Sequence, residues 1–427
     1  MSIKKMTFNA GVHPADKKEI TRDLAVEIMP MQSDYFIGLS QHIGAPATAV
    51  VAAGDIVSQG QLIAAAKGRV SANIFSSVSG KVVGIEKRKN VFGILSDYIH
   101  IKAEGDSVST LAPLENATKE SVLARISESG IVGLGGAGFP AAVKDCPNKP
   151  VDTLIINCAE CEPYLNCDNR LMLEKTDGVV QGIKLLAKAI GVEKIIVGIE
   201  DNKMEAYETL KKTGLDVQLL EKKYPQGAEK MLIYALTKRK VPNKGGLPMD
   251  VGVVVHNPAT AYAVYEACVL GKPLYERILT VSGKGVDNPK NLLVLNGTPH
   301  KAIYEFCGLN DDAVKLISGG PMMGIAMGTL DGVTTKTESG LLALTHDEIA
   351  VYEPSNCISC GRCAKACPMK LMPMFIDFNV LAGKLDEAAK YGAMDCIECG
   401  SCSFVCPAKR PLVANIKRAK LMLKEKK

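Results

Sequence analysis

The chain has 427 residues, room for two to four domains at roughly 150 residues each. Apolar residues make up 47% and charged residues 23%, which excludes extensive disorder, and no run of about 18 uncharged apolar residues exists to span a bilayer as a helix. Net charge is +5, but eight Lys/Arg against one Glu lie in 409–427, so the positive excess belongs to that tail. The opening MSIKKMTFNAGVHP lacks the apolar core of a signal peptide. Fourteen cysteines in such a chain point to a reducing compartment, where clustered thiols serve metals or catalysis.

Residues 1–110 read as β-structure, with apolar runs at 49–52, 62–66 and 81–85 punctuated by Gly54-Asp55, Gly60-Gln61 and Ser79-Gly80. The pattern GDIVSQGQLI, followed by SSVSGKV, resembles the barrel-sandwich hybrid fold of biotinyl and lipoyl carriers. Those carriers modify a lysine at a hairpin tip. The matching stretch here, GRVSANIFSS, contains none, so the unit is expected to be structural.

From about Leu111, strand-like runs (153–157, 194–199, 251–255) alternate with helical patterns (178–190, 230–238). This predicts an α/β domain over 111–278 with a largely parallel sheet. Residues 279–340 return to short strands with Gly, Asn and Pro turns, a compact small β unit. Two cysteine clusters occupy 341–408, separated by a stretch at 372–389 with Leu, Met, Phe and Ala at helical spacing. The tail, 409–427, follows.

Cys357-x2-Cys360-x2-Cys363-x3-Cys367-Pro368 and Cys396-x2-Cys399-x2-Cys402-x3-Cys406-Pro407 each match the run found in two-cluster ferredoxins. Three thiolates at three-residue spacing can wrap three corners of a cubane, and the fourth reaches the other cluster. The expected ligands are Cys357, Cys360, Cys363 and Cys406 for cluster one, and Cys396, Cys399, Cys402 and Cys367 for cluster two. Structural zinc usually takes two ligand pairs separated by a loop, so two [4Fe–4S] clusters are the expectation. Cys158, Cys161 and Cys167 lack a fourth nearby ligand and overlap another motif. Cys146, Cys268 and Cys307 are expected as small buried residues.

Gly133-Leu134-Gly135-Gly136-Ala137-Gly138-Phe139-Pro140, followed by Lys144, is neither a Rossmann fingerprint nor a P-loop. Its glycines let backbone N–H groups approach a phosphate. Combined with Asn157-Cys158-Ala159-Glu160-Cys161-Glu162-Pro163, Tyr224-Pro-Gln-Gly227-Ala-Glu229 and Val255-His256-Asn257-Pro-Ala-Thr260, it resembles the NADH-oxidising flavoprotein subunit of respiratory complex I. The resemblance implies FMN among Gly133, Gly135, Gly136, Lys144, Asn157, Glu160, Gly227 and Asn257. It implies NAD(H), the substrate, beside Phe139, Glu162 and Glu229. The chain departs from that pattern at Leu134, Ala159, Ala228 and His256, where the family has Arg, Asp, Glu and Asn.

A resemblance over the whole length runs through NAGVHPADKKE, LSQHIGAPA, GLGGAGFPAAVK, NCAECEPYL, SGGPMMG and both cysteine runs. In this order they resemble the C-subunit family of Rnf complexes, membrane ferredoxin:NAD+ oxidoreductases that couple electron transfer to sodium or proton movement. That likeness implies a soluble-ligand-binding β-grasp (SLBB) domain at 279–340. It also implies partners in an iron–sulfur B subunit, integral membrane subunits and ferredoxin, and a peripheral place on the cytoplasmic face of a bacterial cell membrane. No nucleic-acid partner is expected. A flavin converts hydride pairs to single electrons, so no catalytic side chain is needed and His13 and His42 are read as structural. Two alternatives stay open: a soluble flavin–iron–sulfur reductase resembling cobalamin reductases, and an electron-transfer adaptor with no nucleotide reaction. For the tail, Leu412, Ile416, Leu421 and Leu423 among basic residues predict a partly amphipathic helix. It would be a solvated end, or would contact anionic lipid or an acidic partner.

Overall fold

The computed structural model describes residues 4–350 and 352–425. In its first unit the strands Asp34–Gly38, Leu95–Ala103, Gly80–Lys89 and Ile56–Val57 form one antiparallel sheet in that order. A smaller sheet of Thr48–Ala49, Leu62–Ala65 and Ile74–Phe75 shares its core, where Ile37, Ile63, Ile74, Val82, Ile99 and Ile101 are buried. Alternation along the chain sends every second side chain into this core.

The α/β unit has four parallel strands in the order Val217–Leu220, Lys194–Glu200, Thr153–Cys158 and Val253–His256. Leu154, Ile155 and Ile156 are all buried, as expected of a parallel strand covered on both faces. The helix Thr176–Ile190 packs on Pro258–Val269 so closely that a Cβ at Gly182 would lie 1.8 Å from the Ala261 carbonyl oxygen. Cys268 and Cys307 are buried, whereas Cys146 is exposed, because it follows the short helix Ala141–Lys144 into a surface turn before Pro147.

A six-stranded sheet follows, in the order Val26–Ile28, Lys290–Leu295, Glu276–Ser282, Gly340–Leu344, Lys315–Ser318 and Ile325–Met327. It exceeds the expected 279–340 at both ends. Gly340–Leu344 lies inside the sheet, and Val26–Ile28 joins it from the N-terminal segment. The N-terminal segment also reaches beyond its own sheets. Met6 bridges to Leu220 and Val12 to Tyr224, so the first segment laces the α/β and β units together. Lys336 reinforces the junction: its buried Nζ donates to the carbonyls of Asn73 (2.6 Å) and Gly130 (2.7 Å).

The cysteine-rich unit contains the helices Arg362–Ala366, Pro373–Leu381, Leu385–Lys390 and Ser401–Phe404. The stretch expected to be helical at 372–389 is two helices, interrupted where Gly383 takes φ 71°. The tail is not a separate extension. Leu412–Glu425 is a helix whose Leu412, Ile416 and Ala419, at i, i+4 and i+7, are buried against the cysteine-rich unit. Leu421 is exposed at 63% and Lys417 lies outward, whereas Lys420 Nζ donates inward to the Cys396 carbonyl and to Glu398. Among the described residues no helix is long and apolar enough to cross a membrane.

Candidate functional site

At the carboxyl end of Thr153–Cys158, the edge where parallel sheets usually receive ligands, the chain turns through Glu160 at φ 44°. Asn157 Nδ2 donates to the Gly227 carbonyl at 2.8 Å, and Asn157 Oδ1 accepts from Ala159 N. Asn257 caps the helix Pro258–Val269, its Oδ1 accepting from Ala259 N at 2.8 Å and its Nδ2 donating to Asp168 at 2.6 Å. Asp168 N donates in turn to Glu160 at 2.7 Å. This chain of bonds gathers the Asn157, Glu160, Gly227 and Asn257 segments around one strand edge.

The glycine loop closes where Gly133 N donates to the Phe139 carbonyl (2.9 Å), and Leu134 N donates to Thr260 Oγ1 (3.0 Å). Gly135 lies against Asn257, whose side chain is 2.9 Å from where a Cβ would stand, whereas Gly136 faces open space. Lys144, assigned to FMN by resemblance, pairs at 2.8 Å with Glu229, assigned to the nucleotide. Both are partly exposed, and Phe139 is 36% exposed.

Glu162, expected beside the nucleotide, is bonded on the side of the six-stranded unit. Its two carboxylate oxygens accept from Met322 N (3.0 Å) and Met323 N (2.9 Å), turning it into the SGGPMMG loop of the six-stranded unit. Burial pushes its carboxyl up to about 7. Of the positions that differ from the complex I pattern, Leu134 and Ala159 are buried core residues. His256 is buried and bonds to Asp145 at 2.6 Å.

Several participants have no signal in the sequence. Lys18 lies about 140 residues from the strand it supports, yet its buried Nζ donates to the Glu162 and Leu165 carbonyls and sits 3.8 Å from Glu160. Asp168 is raised to about 7, first by burial and then by Glu160. Asp145 joins the site only through its tertiary contact with His256.

The remaining thiols fall into two groups. Cys357, Cys360, Cys363 and Cys406 line one pocket, together with Leu412. Cys367, Cys396, Cys399 and Cys402 line another, with Val413 and Ile416. The two runs are local copies of each other. Ser359 and Glu398 both take positive φ, at 54° and 59°, so that their N–H groups point at Cys357 and Cys396 Sγ. Gly361 and Gly400 then start equivalent short helices.

The residues present fit both groups. Eight sulfur donors in two sets suit iron–sulfur clusters, and burial pushes Cys396 up to about 11 and Cys402 up to about 12, so thiolates there need a neighbouring cation. On the flavin side, Glu160 Oε2 is buried without a hydrogen-bond partner and Gly136 leaves the loop backbone open to a ligand.

Comparison with known proteins agrees in order along the chain. Family models match as an RnfC barrel-sandwich hybrid domain over 6–106 and a Nuo51 FMN-binding domain over 126–266. An SLBB domain matches over 278–326 and a 4Fe–4S dicluster domain over 347–409. The C subunit of the proton-translocating ferredoxin:NAD(+) oxidoreductase complex of Clostridium ljungdahlii is 47% identical over 87% of this chain and 84% of that protein. Its counterpart in the Na(+)-translocating complex of Acetobacterium woodii is 42% identical over 88% of each. This chain belongs to that C-subunit family. The equivalent member from the ion-translocating oxidoreductase complex of Rhodobacter capsulatus is 40% identical over 99% of this chain and 84% of that protein. Outside the family, a structure of an NAD+-reducing [NiFe]-hydrogenase in the H2-reduced state shares the fold, with a TM-score of 0.51 and 18% identity over 73% of this chain and 63% of that one.

Proposed function

We propose that the chain is the NAD(H)- and FMN-handling subunit of an Rnf-type complex, passing electrons between NAD(H) and one-electron carriers. The observation that carries this reading is the presence, in one chain, of a strand-edge site built from Asn157, Glu160, Gly227 and Asn257 and of two four-thiol pockets, one of them packed against that domain. When bound, FMN supplies the exchange between hydride pairs and single electrons, and [4Fe–4S] clusters carry those electrons one at a time.

The chain's own residues hold and orient. The backbone of Gly133–Gly138 receives the phosphate, with Asn257 and the start of Pro258–Val269 beside it. Lys144 and Glu229 balance each other's charge at the mouth until a ligand takes one of them. Phe139 offers a ring face to the nicotinamide nucleotide. Glu162 braces the site from behind, and the nucleotide contact passes to Phe139 and Glu229.

Cluster one takes Cys357, Cys360, Cys363 and Cys406, and cluster two takes Cys396, Cys399, Cys402 and Cys367. Cluster two is the inner one, supported by the packing of Cys399 with Tyr224 and Cys161. Cluster one would be the outer, a reading supported by the exposure of Cys357 and Cys360, whose loop would present it to the iron–sulfur B subunit and ferredoxin. Sodium or proton movement belongs to the integral membrane subunits, with this chain peripheral on the cytoplasmic face.

Anoxic purification tests this reading. The expected result is about eight iron atoms per chain, bound FMN, and bleaching of the flavin by NADH. Zinc in place of iron, or bound flavin that NADH leaves oxidised, overturns it.

A further inference from the structure

Tyr224 stands where the flavin-side domain meets the cysteine-rich unit. It is 1% exposed, and its hydroxyl donates to the Cys399 carbonyl at 2.8 Å. Its ring packs with Val12, Ala366 and Cys399, and Cys161 and Met322 lie against the same group. Its backbone is held as firmly. Tyr224 N and O both pair with Val12 at 2.8 Å, and the adjacent Gly11 N donates to the Ala366 carbonyl at 3.0 Å. Three residues on, Gly227 N donates to Cys161 Sγ at 3.3 Å and Gly227 O accepts from Asn157. One short segment thus touches the flavin strand on one side and a cysteine loop on the other.

The duplicated cysteine runs make this contact unequal. Cys399 and Cys360 are equivalent in the two copies, yet Cys360 is exposed and, among the described residues, no side chain donates to its carbonyl. Hydrogen bonds near cluster ligands, and solvent exposure, are the levers by which a protein separates the potentials of chemically identical clusters. The fold applies a hydroxyl donor and a dry wall to one copy only.

We propose that Tyr224 is a positioning residue that sets the reduction potential of cluster two apart from that of cluster one, through its bond to the Cys399 carbonyl. The inference rests on the ligand sets given above. A hydroxyl dipole aimed at the peptide beside a ligand draws electron density away from the cluster and favours its reduced form. Removing that donor therefore lowers the potential.

The test is Tyr224→Phe, which keeps the ring and deletes the donor, purified anoxically as the full chain. Iron and FMN are quantified first, and both clusters are then titrated by EPR at controlled potentials. Cys363→Ala and Cys402→Ala, each expected to remove one cluster, assign the signals. The expected result is wild-type iron and FMN content, a cluster-two midpoint moved to lower potential, and an unmoved cluster-one midpoint. Unmoved midpoints for both clusters overturn the proposal, as do equal shifts of both or loss of iron from both, because each makes Tyr224 a packing residue only. Wild-type protein that lacks iron altogether would instead count against the broader functional reading, and this is read before any variant is compared.

Discussion

Ile416→Ala tests whether the C-terminal helix is part of the iron–sulfur unit. Ile416 is 1% exposed and packs with Cys367, Ile376, Val380, Leu385 and Ala388, while lining the pocket of Cys396, Cys399 and Cys402. Truncating a buried isoleucine to alanine costs about 2–5 kcal/mol, a transfer loss plus the cavity left behind. Whole domains are stable by only about 5–15 kcal/mol, and one this small stands near the lower end. The melting temperature should fall by about 10 °C or more, since in a domain of 60–100 residues each kcal/mol is worth about 4–8 °C. Cluster binding stabilises only the folded pocket, so the variant should also lose iron. Anoxic thermal melts with iron analysis on the same samples provide the assay, with Lys417→Ala on the exposed face as a control that should move stability by less than about 0.5 kcal/mol. Truncation after Pro411 removes Leu412 as well and should strip iron from both pockets. An Ile416→Ala protein with full iron content and a melting temperature within about 2 °C of wild type would refute this account of the helix.

Gly136→Val should fold normally, because its side chain meets open space, but should lose FMN on desalting; flavin absorbance after gel filtration measures this. Glu229→Gln frees Lys144 from its 2.8 Å partner and should change the KM for NADH with little effect on the melting temperature, because a partly exposed pair contributes only about 0–1 kcal/mol. Lys336 gives a pH signature. Burial pushes it down to about 7 from 10.5, so between those values the unfolded chain keeps a proton that the native state has released. Stability should therefore rise with pH from about 7 to 10.5 and stay level below, and Lys336→Met should flatten that rise in melts taken across this range. Alanine at Phe139 should raise the KM for NADH while leaving flavin content unchanged in the purified protein.

The residues that declare chemistry in this chain do so by local spacing. Thiols three residues apart can reach one cubane whatever surrounds them, and four glycines in six residues bring backbone to a phosphate through the freedom of their own dihedrals. Strand and helix patterns were legible for the same reason: 178–190 and 230–238 lie close to the observed Thr176–Ile190 and Glu229–Thr237. What spacing cannot encode is which distant surfaces cancel each other's charge and exclude water. Glu162 reads like its counterpart in a nucleotide site, but the Met322 and Met323 N–H groups, some 160 residues away, donate to its carboxylate and turn it inward. Lys18 acquires its role only when the first segment of the chain is laid across the sheet, Asp168 only beside Glu160 and Asn257, and Tyr224 only against Cys399. The basic tail reads from sequence as a partly amphipathic helix, either a solvated end or a contact for lipid or an acidic partner, and its composition does not say which face is buried. Tertiary structure decides how it sits, since burying Leu412, Ile416 and Ala419 outweighs the freedom of an exposed helix and Lys420 bonds inward to the Cys396 carbonyl.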